Sequence, residues 1–245
     1  MFFWQLITGN SQRLAARHRE PEWMDAPDAD PVLLRSSLRF IRRINILLRY
    51  TQTTLRHLDR LTHDWSPGRR LTILDVATGS GDIPRAILRW AKRRYLAVQI
   101  VGIDLHEATL LTAAGANHRS EFSLARADAT NLPFADGSFD IVLTNMFLHH
   151  LDEPVVLKVL AEMDRVTKQG IVIADLLRSR RAYLWISLFT AFSNPMVKHD
   201  ARVSVSGAFN ESELLSLCNR AGLKYCRASR HFGHRLVLAG RKHQI

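Results

Sequence analysis

"ILDVATGSGDIP", residues 73–84, runs from buried-strand residues into an acidic loop with two glycines and then into a helix start. Ile73, Leu74 and Val76 are β-formers, while Gly79 and Gly81 lack a Cβ and let the backbone bend tightly or take a ligand at close range. Pro84 suits the first turn of a helix. A helix N-terminus placed this way presents free N–H groups to a negatively charged ligand group. Alone, such a turn is also a structural convenience, so its surroundings have to decide.

Five short apolar runs lie at 71–77, 98–104, 122–128, 139–145 and 171–176, and helical patterns at 83–94, 106–118 and 153–167 separate most of them. Strands that alternate with helices pair in parallel through right-handed crossovers, which predicts a doubly wound, Rossmann-like α/β sheet. Further on, "FNESELLSLCNRAG" (209–222) offers Asn210 as an N-cap with Glu213 three residues later and Gly222 as a stop. Residues 223–232 and 234–242 read as a terminal hairpin around Gly233.

Ligands of such sheets bind at the carboxyl ends of the strands. Asp75 in the first run, Asp104 ending the second and Asp128 ending the third would converge along one crevice there. Asp104 is placed to accept both hydroxyls of a ribose, and Asp128 with the next backbone N–H can face an adenine edge. Each aspartate alone is equally what a cap or turn uses; the succession of three is what marks a site. A nicotinamide dinucleotide loop wants a third glycine where Pro84 stands, which disfavours that cofactor.

The chain has 245 residues, 47% of them hydrophobic, enough for one large α/β domain or two small ones. The formal charge of +11 would attract nucleic acid, anionic lipid or acidic small molecules alike. Much of it sits in "RSSLRFIRRINILLRY" (35–50), where arginines flank an apolar stripe of Leu38, Ile41, Ile44, Leu47 and Leu48. That helix is either packed with a solvated basic face or a peripheral contact for phosphate or an anionic membrane surface.

The apolar stretch "AYLWISLFTAF" (182–192) is about half of the roughly 20 residues a membrane span needs, so it reads as an amphipathic or buried helix, a candidate lid. The start, "MFFWQLITGN", has no basic region and no small-residue cleavage site, so a cytoplasmic protein without a secretory signal is expected. Cys218 and Cys226 lack partners at metal spacing and are either reduced core residues or a bridge; no metal is expected. With three prolines and five acidic residues, "REPEWMDAPDADP" belongs to an irregular arm. The expected organisation is an arm over 1–31, a helical cap over 32–70, and a main domain over 71–245 with a lid insertion at about 177–209.

The segments "ILDVATGSGDIP", "VGIDLHEATL", "ARADATNLPFADGSFDIVLTNMFLHHLDEP" and "VLAEMDRVTKQGIVIADL" resemble, in order, the motifs of class I S-adenosylmethionine-dependent methyltransferases. The likeness is to the small-molecule, biosynthetic branch that methylates quinones, polyketides and phenolic lipids. It covers about residues 71–176 and implies seven strands, the last antiparallel. Two departures stand out: "TKQG" replaces the usual Lys-Pro-Gly-Gly turn before the fifth strand, and the glycine loop reads Ala-Thr-Gly-Ser-Gly.

The resemblance implies S-adenosylmethionine as cofactor. Asp75 would lie under its methionine end, and Ala77, Thr78, Gly79 and Gly81 would wrap it. Asp104, with Leu105 beside it, would take the ribose, Asp128 and Ala129 the adenine, and Asn145 and Met146 the methionine moiety near the acceptor. Methyl transfer from a sulfonium requires alignment and exclusion of water, with a base where the acceptor has a proton to lose. In "FLHHLDEP" the expected base is His149, with His150 beside the acceptor or packing the next helix. In "KHDARVSVSGAF", His199 oriented by Asp200 is a second catalytic candidate, unless that stretch is a polar surface loop.

Tyr50 is expected to close the acceptor pocket from the N-terminal helices, and Trp185, Phe189 and Phe192 to roof it. Where base-methylating enzymes carry an Asn/Asp-Pro-Pro-aromatic loop this chain has "NMFL", and no cysteine stands at a sheet end, which argues against nucleic-acid bases. The expected activity is O-methylation of a hydrophobic phenolic, polyketide or lipid-like metabolite. Carbon methylation of a quinone-type ring is the first rival, and an RNA-binding or membrane-surface module with a vestigial cofactor fold is a rival of another class.

Overall fold

The computed structural model describes residues 14–26, 30–66, 68–116 and 121–242. The opening segment 1–13, on which the absence of a signal was argued, and residues 27–29 of the arm lie outside the described residues.

A 3₁₀ turn (Trp23–Asp25) precedes two N-terminal helices, α1 (Pro31–Leu47) and α2 (Tyr50–Leu61). They interrupt what the periodicity suggested as one helical stretch, because Arg49 takes a left-handed conformation at φ 53°. Then follow β1 (Arg70–Val76), α3 (Asp82–Arg93), β2 (Ala97–Asp104), α4 (Glu107–Ala116), β3 (Ser123–Arg126) and β4 (Phe139–Asn145). After a second 3₁₀ turn (Leu148–His150) come α5 (Glu153–Val166), β5 (Thr167–Leu176), α6 (Arg180–Phe189), α7 (Pro195–Gly207) and α8 (Glu211–Arg220). The chain closes on β6 (Arg227–His231) and β7 (Arg235–Arg241).

The seven strands form one sheet in the order β3-β2-β1-β4-β5-β7-β6, with β7 antiparallel to both neighbours. Strand order reverses between β1 and β4, so the crevice beyond their carboxyl ends is the ligand-binding position of the fold. Both faces are covered. Leu74, Val76, Ile171 and Ile173 pack with Leu160 of α5 and Leu214 of α8 on one face. On the other, Ile73, Ile141 and Val172 pack with Leu58 of α2 and Ile87 of α3. Burial on both sides is why these strands read as unbroken apolar runs.

The Asn210 cap is realised in full: its side chain accepts from the Glu213 N–H while Glu213 returns a bond to the Asn210 N–H. The hairpin turns at Gly233, with φ +77°. Two expectations are corrected. "TKQG" is not a turn ahead of the fifth strand but its first four residues, since buried Thr167 pairs with Phe139 of β4. The stretch 198–209 is not a surface loop; most of it is α7, started by Asn194 accepting from the Val197 N–H with Pro195 at the first turn. Its serines and charged residues masked the apolar side, which Met196, Val197 and Val205 bury.

Helices α6 and α7 fill the span 180–207, and its two ends are held together. Leu177 and Phe209 form a parallel bridge, and buried Arg178 pairs with Glu213 at 2.5 Å. No described helix is long and apolar enough to cross a membrane. Cys218 and Cys226 are free, buried thiols whose burial pushes them up, to about 12 for Cys226.

Candidate active site

At the end of β1, the Thr78 N–H donates to Ile103 O at 2.8 Å, drawing the loop against β2. Asp104 then fastens two loops at once: its Oδ2 accepts from the Gly79 N–H at 3.1 Å and its Oδ1 from the His106 N–H at 3.0 Å. A carboxylate has about four acceptor positions, so two remain for a ligand diol. A Cβ on Gly79 would meet nothing within 4 Å, whereas one on Gly81 would lie 2.9 Å from Phe122 Cζ. Gly79 thus borders open space, and Gly81 packs against the protein.

Asp75 is buried and accepts from Thr78 Oγ1 at 2.7 Å. Burial lifts its carboxyl to about 7, against the opposing Thr78 hydrogen bond and with help from the Asp104 charge. Asp128 stands next to Asp104 through the Ala127 N–H to Asp104 O bond of 3.1 Å, and its Oδ1 is taken by the backbone and hydroxyl of Thr130. Leu105 is exposed and Ala129 packs at the edge of the core. Ala77 and Met146, directly after β1 and β4, hold left-handed backbones at φ 57° and 54°. Strain of this kind, on two residues flanking the switch point, is the sort that functional sites retain.

Asn145 Oδ1 accepts from Thr54 Oγ1 of α2 at 2.6 Å, and its Nδ2 is buried with no partner. An orphaned amide donor, open space at Gly79 and unused acceptor positions on Asp104 fit an adenosyl amino acid lying along this edge.

Beside this crevice is an apolar cavity of about 590 Å³ lined by α1, α6, α7 and the β6–β7 turn. Trp185 and Phe189 line it and stack with ring centroids 5.0 Å apart, as do Ile44, Leu47 and Leu48 from the predicted stripe. The side chains of Leu38 and Ile41 lie outside the described residues. Phe192 does not line the cavity and is fully exposed. Tyr50 does not line it either. Its hydroxyl donates to Ala174 O at 3.2 Å, and its ring lies 4.2 Å from the guanidinium carbon of Arg235, which does line the cavity.

His149 Nδ1 lies 2.6 Å from Asp175 Oδ1, and the His149 N–H donates to Asp175 Oδ2 at 3.0 Å. Burial pulls the imidazole down, but the Asp175 carboxylate outweighs it and holds His149 above its ordinary value. Burial likewise raises Asp175, and His149 reverses that to a net lowering. His150 is pushed down to about 3 by burial and by His149, so it is neutral. Both histidines line a second, polar pocket of about 130 Å³ with Arg19, Glu20 and Glu22, not the apolar cavity. Glu22, His149 and His150 there bring one donor atom each within 4.8 Å of one another. Arg17 of the arm donates to His149 O at 2.8 Å and to Gly207 O at 2.5 Å, and Arg19 to His150 O at 2.6 Å.

His199 lies elsewhere on α7. Its Nδ1 is 2.9 Å from Asp200, whose carboxylate also accepts from the N–H groups of Trp23 and Met24, and its ring stacks on Trp23 at 4.1 Å. This cluster pins the arm to α7. Thr54, Asp175 and Arg235 were not singled out in the sequence. The available signal was charge out of place: an aspartate inside "IVIADL" and an arginine heading "RLVLAG".

The sequence profile of the methyltransferase domain family matches residues 74–174, the stretch that carries the glycine loop and the strand-end aspartates. The chain carries a class I S-adenosylmethionine-dependent methyltransferase domain. A demethylmenaquinone methyltransferase of Renibacterium salmoninarum is 37% identical over 111 residues, 44% of this chain and 42% of that protein. A ubiquinone/menaquinone biosynthesis C-methyltransferase of Geobacter is 34% identical over 102 residues, covering 40% and 41%. The methyltransferase domain here thus spans about two fifths of the relatives' length. Over the whole fold, the magnesium protoporphyrin IX methyltransferase of Synechocystis, solved with S-adenosylhomocysteine, superposes with a TM-score of 0.59 at 14% identity, covering 98% of this chain and 97% of that one. That likeness is one of fold.

Proposed function

We propose that the protein transfers the methyl group of S-adenosylmethionine to an oxygen of a hydrophobic small molecule bound under α6. The observation that carries this reading is the apolar cavity lying beside the donor crevice, with Arg235 on its lining and within 2.9 Å of Met146 Sδ. When bound, the cofactor supplies a sulfonium-activated methyl carbon that leaves as the neutral thioether remains. Asp104, Gly79 and Asn145 hold the donor along the sheet edge; Trp185 and Phe189 cover the acceptor and keep water out. His149, held through Nδ1 by Asp175, opens on the polar pocket and not on the acceptor cavity, so the acceptor oxygen is proposed to enter as its oxyanion, its proton already lost to solvent. Leu105, Asp128 and Ala129 border the adenosine end. His199 and Tyr50 support the arm and Arg235 in this reading and do not meet the acceptor.

A second reading, carbon methylation of a quinol ring, is favoured by the names of the two relatives above. The protein would work in the cytoplasm, with its basic α1 face available to an anionic membrane that holds such lipids. The decisive experiment incubates the full chain with methyl-labelled S-adenosylmethionine and a panel of alkylphenols and quinols, followed by NMR of the product. Label in a methoxy group supports the first reading and label on a ring carbon the second. Transfer to none of these with firm cofactor binding would remove both.

A further inference from the structure

Arg235 heads β7, pairs with Leu176 of β5 and is only 3% exposed. A guanidinium carries five N–H donors. Here Nη1 faces the thioether of Met146 at 2.9 Å, a weak acceptor, and Nη2 reaches Asn45 Oδ1 only at 3.4 Å. Nε is buried with no partner. Among the described residues no carboxylate lies within ion-pair distance of it. The nearest to count electrostatically is Asp175, and both of its oxygens are already held by His149 and the Leu176 N–H. The Tyr50 ring partly supports the cation from one side.

An unpaired buried cation costs several kcal/mol, so a protein keeps one where something else completes it. Arg235 opens onto the 590 Å³ cavity, whose other walls include Ile44, Leu48, Ile186 and Phe189. His231 and His234 also line it, and burial pushes both imidazoles down, so they add no cation there. Among the described residues on the lining the one other cationic side chain is Arg181, and no acid among them balances either arginine.

We infer that Arg235 is the anchor for an oxyanion on the acceptor, so that this cavity selects a hydrophobic molecule with one acidic oxygen head, a carboxylate, phenolate or enolate. This rests on reading the cavity as the acceptor site. A bidentate guanidinium contact would also fix the head beside Met146, at the donor end.

The test is calorimetric binding to the full chain saturated with S-adenosylhomocysteine, using 4-hexylbenzoate and its uncharged counterpart 4-hexylbenzyl alcohol. The benzoate is expected to bind at least tenfold more tightly. Arg235→Met should erase that preference while leaving the alcohol's affinity and the affinity for S-adenosylhomocysteine within about threefold. Should Arg235→Met fail to fold, Arg235→Gln carries the same comparison. Equal binding of the two probes to the wild type, or a preference that survives the substitution, overturns the inference. So does a selective loss of S-adenosylhomocysteine binding, which would assign the guanidinium to the amino-acid carboxylate of the cofactor. Methyl transfer to neutral acceptors with no oxyanion preference would sink this inference alone, whereas oxyanion preference without any transfer would sink only the activity.

Discussion

His149 and Asp175, 26 residues apart in sequence, meet at 2.6 Å with 3% and 2% of their side chains exposed. The carboxylate engages both the ring and the backbone N–H of the histidine, which holds the ring with its Nδ1–H toward Asp175. Asp175→Ala should cost about 3–5 kcal/mol, as expected for leaving a buried partner unpaired, measured by denaturant unfolding at pH 6. Asp175→Asn keeps an acceptor for the ring Nδ1–H and should cost less than the alanine, with cofactor affinity unchanged.

The same pair sets a pH dependence of stability. His149 is raised, so its contribution is complete below the ordinary imidazole value and is lost as pH rises through the raised one. Asp175 is lowered, so its contribution is complete above the ordinary carboxyl value and is lost as pH falls through the lowered one. The stability difference between wild type and His149→Gln should therefore be larger at pH 5.5 than at pH 9. A constant difference would show that the pair is not charged in the native state.

Asp75 titrates the other way. Its folded value of about 7 lies above the ordinary 3.8, so the native state holds a proton that the unfolded chain has released. Cofactor-free wild type should lose stability as pH rises from about 4 to 7, the interval between the two values. Asp75→Asn should flatten that slope, melting above wild type at pH 8 with the gap closing at pH 4 in scanning calorimetry.

Asp104→Ala removes the acceptor for two loop N–H groups and, in the proposed reading, for the ribose diol of the cofactor. With hydrogen bonds to a charged group each contributing about 1.5–3 kcal/mol, S-adenosylmethionine affinity should fall roughly a hundredfold by calorimetry. Retained affinity would mean the ribose is held elsewhere.

The two glycines of the loop should separate stability from binding. Gly81→Ala meets Phe122 at 2.9 Å on a backbone at φ +74°, and should cost about 2–4 kcal/mol from left-handed strain plus overpacking. Gly79→Ala, with φ +57° and nothing within 4 Å, should cost about 1 kcal/mol and reduce cofactor affinity more than stability. Thermal melts with and without S-adenosylhomocysteine read both effects.

Trp185 is 53% exposed, so Trp185→Ala should change stability by less than about 1 kcal/mol. Its place on the cavity lining predicts a higher KM for the acceptor, several-fold or more, with cofactor affinity unchanged. Loss of cofactor binding instead would show that α6 closes over the donor.

Local chemistry wrote much of this protein. Apolar runs bounded by turn residues gave the strands, since a strand buried on both faces needs no partner to be visible in the chain. The box at Asn210 and Glu213 and the left-handed turns at Gly79, Gly81 and Gly233 were equally readable, because each satisfies backbone geometry within a few residues. Where the rule is that local, position in the sequence is position in the fold.

What only tertiary structure decided is which polar groups end up together. Asp175 with His149, Thr54 with Asn145, and Arg235 against Tyr50 and Met146 join residues from 26 to 185 positions apart, through pairings of β5 with β7 and packing of α2 on the sheet. Helix α7 also emerged there, since burial of Val197 and Val205 against neighbouring elements outweighed a stretch rich in serine and charge. A buried charge is stabilised by whatever the fold brings to it, and the chain around it carries no local mark of that partner.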